Sequence, residues 1–202
     1  MKLKLKKTEL EISYILICAA AVCVISGIYK TVVYCVLAVV IHESGHLAAM
    51  KALGYFPKRI KISLFEINIS DSNRQNRTAR ENLIIIFFGP AANFICFIAC
   101  YLLYLVGKEI FLQAALTNLS VFCLNSLPVI TLDGGQFLYI LLCKKLEPAK
   151  AARIITVLTV IILIPLAAAG FLLLLRSKYN FSLLFVSVYL LMSLFMREDK
   201  YY

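Results

Sequence analysis

Apolar runs separated by short charged segments make up most of this chain of 202 residues. The sequence is 62% hydrophobic and 16% charged, which is too apolar for a soluble domain. A backbone inside a bilayer must satisfy its own hydrogen bonds, so each run is expected to form a helix. The runs cover residues 12–28, 31–53, 83–106, 110–127, 154–175 and 181–196. We therefore predict an all-α polytopic membrane protein with about six transmembrane helices and one domain over residues 1–202.

The first run follows a basic head, as the apolar centre of a signal peptide would. No small-residue cleavage site follows it, and Gly27 to Lys30 lead directly into the second run. We interpret residues 12–28 as a retained helix. The core of the domain is then expected at 31–143, with flanking helices at 1–30 and 151–202.

The net charge of +10 could indicate a nucleic-acid partner, but the placement of the charges argues against one. Basic residues collect in alternate segments between the apolar runs, which is the pattern of cytoplasmic loops. If both termini are cytoplasmic, only four of the 21 lysines and arginines face outward, namely Lys30, Lys108, Arg176 and Lys178. We predict a multi-pass protein of the cell membrane with both termini in the cytoplasm.

The seven cysteines lie in or beside apolar stretches and form no CxxC pair. They are interpreted as small buried residues and not as a disulfide framework. Cys96 and Cys100 have a spacing of four residues that would suit a metal, but this interpretation is less favoured.

The motif His42-Glu43-Ser44-Gly45-His46 lies in the second apolar run and contains both histidines of the chain. Residues four apart share one face of a helix, so His42 and His46 can present two imidazoles to one metal ion. Glu43 lies beside them, where it can take a proton from a bound water, as in zinc hydrolases. Ionisable groups in an apolar segment are costly unless they are paired or functional. The alternative is a satisfied polar cluster without a metal.

Residues 54–82 are expected to differ from the helices around them. Isoleucine and leucine alternate with polar residues over 60–69, which predicts short strands that could pair as a hairpin within a basic loop. The segment is interpreted either as an ordinary cytoplasmic loop or as an edge strand that pairs with an extended substrate. These two interpretations stay open.

Two interruptions of the later runs contain polar residues. In the third run, Gly89 and Pro90 predict close helix packing and a kink, and Asn93 needs a partner or a catalytic role. In the second interruption, Pro128 ends the fourth run and Asp133 follows between two apolar stretches. With the two histidines, Asp133 would give three zinc ligands and leave a position for water; its alternative role is a helix cap. Asn125 could donate a hydrogen bond to a developing oxyanion, or only satisfy the helix break.

The chain resembles the site-2 protease family of intramembrane zinc metalloproteases. The resemblance rests on His42–His46, on Gly89-Pro90-Ala91-Ala92-Asn93 and on Leu132-Asp133-Gly134-Gly135, in this order. A span before the first motif and no PDZ insertion resemble the branch of the stage IV sporulation protein FB. Thr131 stands where the family often has proline. No CBS domain is expected.

This resemblance implies Zn²⁺ bound by His42, His46 and Asp133, with Glu43 as the catalytic acid/base and Asn125 near the active site. The implied substrate is a membrane-spanning or membrane-tethered protein, and in the sporulation branch the pro-form of a sigma factor. A regulatory membrane protein and an oligomer stay open. The alternative functions are a membrane metal transporter and a protease-like protein that binds partners without cutting them.

Overall fold

A computed structural model describes residues 2–5, 8–12, 29–55, 59–62, 67–70, 77–176, 186–188 and 190. The predicted first helix therefore lies outside the described residues, as does most of the predicted helix at 181–196. The chain divides into two compact units, residues 1–123 and residues 124–202.

The first unit contains helices α1 (Tyr29–Ala52), α2 (Ala79–Leu105) and most of α3 (Ile110–Ser126). Helix α1 ends where Gly54 takes a positive φ of 79° and the N–H of Tyr55 donates to the carbonyl of Met50 at 2.9 Å. Helix α2 begins with a capping box, in which the N–H of Thr78 donates to Glu81 and the N–H of Glu81 donates to Thr78. These local signals fix the helix ends that flank the motif.

Helices α1 and α2 pack closely because glycines lie at their contact. A Cβ added to Gly45 would collide with the carbonyl oxygen of Phe88 and approach the Cβ of Ala92 to 2.9 Å. A Cβ on Gly89 would collide with the imidazole of His46. Small residues let helix backbones approach in this way. The close packing predicted from Gly89 is present in the structure, and Gly45 contributes equally from the other helix.

Four short strands form one sheet in the first unit, in the order β1 (Lys2–Leu5), β2 (Thr8–Ile12), β3 (Arg59–Ile62) and β4 (Ile67–Ser70). Strands β2 and β3 pair in parallel, and the other two pairs are antiparallel. The register places an aliphatic residue of each strand in one row: Leu3, Leu10, Ile60 and Ile69.

Strands β3 and β4 occupy the segment for which the sequence predicts short strands. Strands β1 and β2 were not predicted, because the basic head was interpreted only by its charge. Its alternation of Lys and Leu over 2–5 has the period of a strand, and pairing aligns Lys4 with Glu9 of opposite charge. The all-α class is therefore too narrow: the protein is mostly helical with a four-stranded sheet.

The second unit contains α4 (Asp133–Cys143) and α5 (Pro148–Arg176). Its core is formed by Val129, Leu163 and Leu190, with Leu127, Leu132, Ile162, Leu166 and Val186 around them. Residues 127–132, between α3 and α4, are not helical, and Val129 and Ile130 within them are buried.

Three of the described helices are long and apolar enough to span a bilayer, over Thr31–Ala52, Ala79–Leu105 and Pro148–Leu173. Only 22% of the residues in each span's most apolar window are buried by the protein itself, so most of their apolar side chains are available to lipid. Helix α3 is apolar but shorter, with 17 residues. The described residues thus identify a membrane protein, while the total of about six spans stays a prediction.

The contact between α1 and α2 predicts that Gly45→Ala destabilises the protein. Alanine favours a helix over glycine by about 1 kcal/mol, so without the contact the substitution would stabilise α1. Because the new methyl group meets Phe88 and Ala92, we expect a net loss of about 1–3 kcal/mol in the free energy of unfolding. Denaturant unfolding in detergent micelles measures it.

The matched control is Ser44→Ala, which places the same side chain at an exposed position next to Gly45. It removes a single hydrogen bond from Ser44 Oγ to the carbonyl of Ile41. Equal stability of the two variants would contradict the close packing at Gly45.

Candidate metal centre

His42 and His46 lie one turn apart on α1 and face each other. Their Nε2 atoms are 3.2 Å apart, and the rings meet edge to face with an interplanar angle of 85°. His42 is buried, with 5% of its surface exposed, and His46 is half-buried. The spacing of four residues thus brings the two imidazoles together as the sequence predicts.

The hydrogen bonds of Asn93 determine which nitrogen of His42 carries the proton. Asn93 Nδ2 lies 2.9 Å from the carbonyl oxygen of Ala38, which can only accept a hydrogen bond. The amide is therefore oriented with Oδ1 toward His42 Nδ1, at 2.8 Å. Because Oδ1 also only accepts, Nδ1 of His42 must be the protonated nitrogen.

His46 is oriented by the backbone of α2. Its Nδ1 lies 2.8 Å from the carbonyl oxygen of Ile85, so this nitrogen also donates. The ring fits against Gly89, where any side chain would displace it. Both histidines in their neutral form therefore present an Nε2 lone pair toward the same point.

Two lone pairs at 3.2 Å repel each other unless a cation lies near both. Metal-ligating histidines in proteins commonly donate their second N–H to a carbonyl or carboxylate, which fixes the tautomer and orientation of the ring. His42 and His46 both have this arrangement. The donor atoms and their protonation therefore fit a divalent metal ion such as zinc.

Glu43 follows His42 on α1, about 100° round the helix axis, and is half-buried. Its position directly after His42 in the motif suits a carboxylate that acts on a water molecule and does not itself bind the metal.

In the second unit, Asp133 is the first residue of α4. Leu132 occupies the N-cap position, and no side chain caps this helix end. Asp133 lies one residue after this N-cap, in the first turn of the helix. Asn125 lies in the last turn of α3 and is half-buried.

The backbone before Asp133 is held by contacts that position the start of α4. The buried N–H of Ile130 donates to Thr159 Oγ1 of α5 at 3.0 Å. A Cβ on Gly134 or Gly135 would collide with backbone oxygens of residues 126–129. Both glycines are helical without a positive φ, so it is the close approach of the backbone that requires them.

Sequence reasoning missed two of the side chains that support these groups. Asn118 of α3 accepts a hydrogen bond from Asn93, and Thr159 of α5 accepts one from the backbone N–H of Ile130. Both are buried polar residues inside apolar runs. That placement was a usable signal, because a polar side chain at such a position needs a partner.

The chain is similar to one well-characterised protein in sequence and to another in fold. It is 30% identical over 138 residues to the stage IV sporulation protein FB of Bacillus subtilis (strain 168), which covers 67% of this chain. The chain spans about half the length of that relative, 48%. The site-2 protease from Methanocaldococcus jannaschii has the same fold, with a TM-score of 0.67 and 22% identity over 100% of this chain and 97% of that one. No protein-family model matches the sequence.

The relative and the shared fold agree with the resemblance that the motifs carry. The histidine pair of α1 has the hydrogen bonds of a metal-binding site in a helix long enough to span a membrane. Together these findings support assigning the chain to the site-2 protease family.

Proposed function

We propose that this protein is an intramembrane zinc metalloprotease that cleaves peptide bonds of membrane-spanning or membrane-tethered proteins. The observation that carries the proposal is the histidine pair, whose two Nε2 atoms lie 3.2 Å apart while both Nδ1 atoms donate to oxygen. The pair lies in a helix that is apolar enough to cross a bilayer. A hydrolytic site at that position would act on protein segments within or at the edge of the membrane.

The metal ligands of the proposed site are His42, His46 and Asp133, each of which offers one ligand atom. Two imidazoles and one carboxylate are the ligand set of many catalytic zinc sites, which keep a fourth position for water. Asp133 suits this role because it is the first residue of α4 and because the backbone on either side of it is held by Thr159 and the two glycines.

Zinc, when bound, supplies a Lewis acid that lowers the pKa of a water molecule and polarises the scissile carbonyl. Glu43 takes a proton from the attacking water and delivers it to the leaving amine. Asn125 donates a hydrogen bond from its side-chain amide to the carbonyl oxygen as negative charge develops there. His42 and His46 keep their protons on Nδ1 throughout, because both of these N–H groups donate to oxygen.

The substrate must present an extended segment, because a helix keeps its carbonyls in internal hydrogen bonds. Strand β4 forms one edge of the four-stranded sheet in the described part of the chain. An edge strand can pair with an extended peptide through its backbone groups. We propose that β4 binds the substrate in this way.

The resemblance of the motifs to the sporulation branch implies a role in regulated proteolysis, and we propose the pro-form of a sigma factor as one substrate. The excess of basic residues in alternate segments supports cytoplasmic termini and a site nearer the cytoplasmic face.

Glu43→Gln should strongly reduce cleavage without reducing zinc binding, since the amide keeps the shape of the side chain but cannot take a proton. General acid–base catalysis contributes about 10²- to 10⁴-fold, and we expect a loss of that size in kcat. The assay uses purified protein and a single-span peptide with a fluorophore and a quencher on either side of a glycine-containing segment. Zinc content is measured on the same samples.

The control for this variant is Glu147→Gln, which makes the same change at an exposed glutamate that pairs with Lys150. Full activity of Glu43→Gln would refute the role given to Glu43. If the wild type binds zinc but cuts no peptide, metal flux into vesicles tests the transporter alternative.

Asp133→Asn should weaken zinc binding because it removes the only proposed ligand that is negatively charged. A ligand that binds the folded state at 100 times its Kd stabilises the protein by about 2.7 kcal/mol. We therefore expect added zinc to raise the Tm of the metal-free wild type clearly and that of Asp133→Asn or His46→Ala little. Thermal unfolding in detergent with and without zinc measures this.

In these experiments Glu147→Gln should respond to zinc as the wild type does. If zinc raises the Tm of Asp133→Asn as much as that of the wild type, Asp133 is excluded as a ligand. If His46→Ala loses the response in the same experiment, the histidine pair is still supported as part of the metal site.

A further inference from the structure

Asn118 is a buried polar residue on α3 that the proposed reaction does not use. Only 3% of its surface is exposed. Its Nδ2 donates to the carbonyl of Ala114 in its own helix at 2.9 Å, and its Oδ1 accepts a hydrogen bond from Asn93 Nδ2 at 2.9 Å. Asn118 therefore connects α3 to the side chain that orients His42.

Asn93 is fully buried, and each of its polar groups has a partner. The two hydrogens of Nδ2 point to Ala38 and Asn118, and Oδ1 accepts from His42. The amide cannot flip, because the flip would place Oδ1 against two oxygen atoms. With either acceptor removed, one buried N–H would lose its partner, which is unfavourable for a group that is shielded from water.

The carbonyls of Ala114 and Ala38 together fix the direction of every bond in this chain of hydrogen bonds. The oxygen of Ala114 can only accept, so Nδ2 of Asn118 faces it and Oδ1 of Asn118 faces Asn93. Asn93 then turns its own oxygen to His42, whose proton must lie on Nδ1. The hydrogen bonds thus connect Asn118 on α3, through Asn93, to the imidazole of His42 on α1.

We propose that Asn118 is a positioning residue for the metal centre: through Asn93 it holds the His42 ring in the tautomer and orientation that present Nε2 to the metal. This inference rests on the proposed zinc site, and it assigns to α3 a role in metal binding. A bond that only joined helices would add to the stability of the protein and would not affect the metal.

The test compares Asn118→Leu and Asn118→Ser with the wild type as full-length proteins in detergent. Leucine keeps the volume but removes the acceptor. Serine is small and polar, and its hydroxyl is expected to donate to the carbonyl four residues earlier, as Ser120 does to Leu116, which withdraws it from Asn93. Zinc affinity is measured by competition with a chelator, and the Co²⁺-substituted proteins are compared by their visible absorption spectra.

We expect zinc affinity to fall about 10- to 100-fold in both variants, as is typical when a partner behind a metal ligand is lost. The Co²⁺ spectrum should change as well, because it reports the geometry of the ligands. Thr117→Val is the matched control, because Thr117 directly precedes Asn118 on α3. The substitution removes an exposed hydrogen bond from the Thr117 hydroxyl to the carbonyl of Gln113. Its affinity and spectrum should equal those of the wild type.

Wild-type zinc affinity and an unchanged Co²⁺ spectrum in a folded Asn118 variant would overturn the proposal, even if the metal-free protein melts at a lower temperature. If the leucine variant does not fold, the serine variant decides in the same way. Failure of the wild type to bind zinc would instead refute the proposed function, so the two failures are distinguishable.

Discussion

Two imidazole lone pairs that point at each other across 3.2 Å form an arrangement that needs a positive charge. The structure enforces it, because each ring donates its Nδ1 proton to an oxygen that cannot donate in return, Asn93 Oδ1 or the carbonyl of Ile85. Both oxygens belong to α2. They reach the rings only because α1 and α2 approach closely at Gly45 and Gly89. The orientation of the two histidines therefore depends on the glycines at the helix contact. Without the close contact the rings would lose the acceptors that orient them toward a cation.

In the second unit, the backbone before the carboxylate of Asp133 must be satisfied within apolar surroundings. Asp133 follows a non-helical segment between apolar stretches, where unsatisfied backbone groups would be costly. Thr159, in the middle of the apolar helix α5, accepts from the N–H of Ile130 and donates its own proton back to the carbonyl of Ile155. One hydroxyl thereby satisfies a backbone group without adding charge. A broken helix near membrane depth is thus compatible with an apolar surrounding, and it places an acidic residue at the first position of α4.

The proximity of His42 and His46 could be predicted from the sequence, because a spacing of four residues places two side chains on one face of a helix whatever surrounds them. The close approach at Gly89 could be predicted from residue size. The partners of the buried amides could not, since they depend on which faces of α1, α2 and α3 meet. Asn118 was therefore overlooked, although a polar residue in an apolar run needs a partner. Strand β1 was not predicted for another reason: residues 2–5 were interpreted only by the charge of their lysines, although lysine and leucine alternate there with the period of a strand.

Asn93 shows why an amide is suited to the centre of this arrangement. The sequence left two roles open for it, a buried polar group that needs a partner and a direct part in catalysis, and its contacts identify three partners. It donates twice, to Ala38 and Asn118, and accepts once, from His42. A carboxylate at this position would turn an oxygen toward two other oxygens, and an aliphatic side chain would leave the His42 N–H unsatisfied. Only a group with donors on one side and an acceptor on the other satisfies all three helices at once and also determines that the Nε2 atom of His42, and not its Nδ1 atom, carries the lone pair.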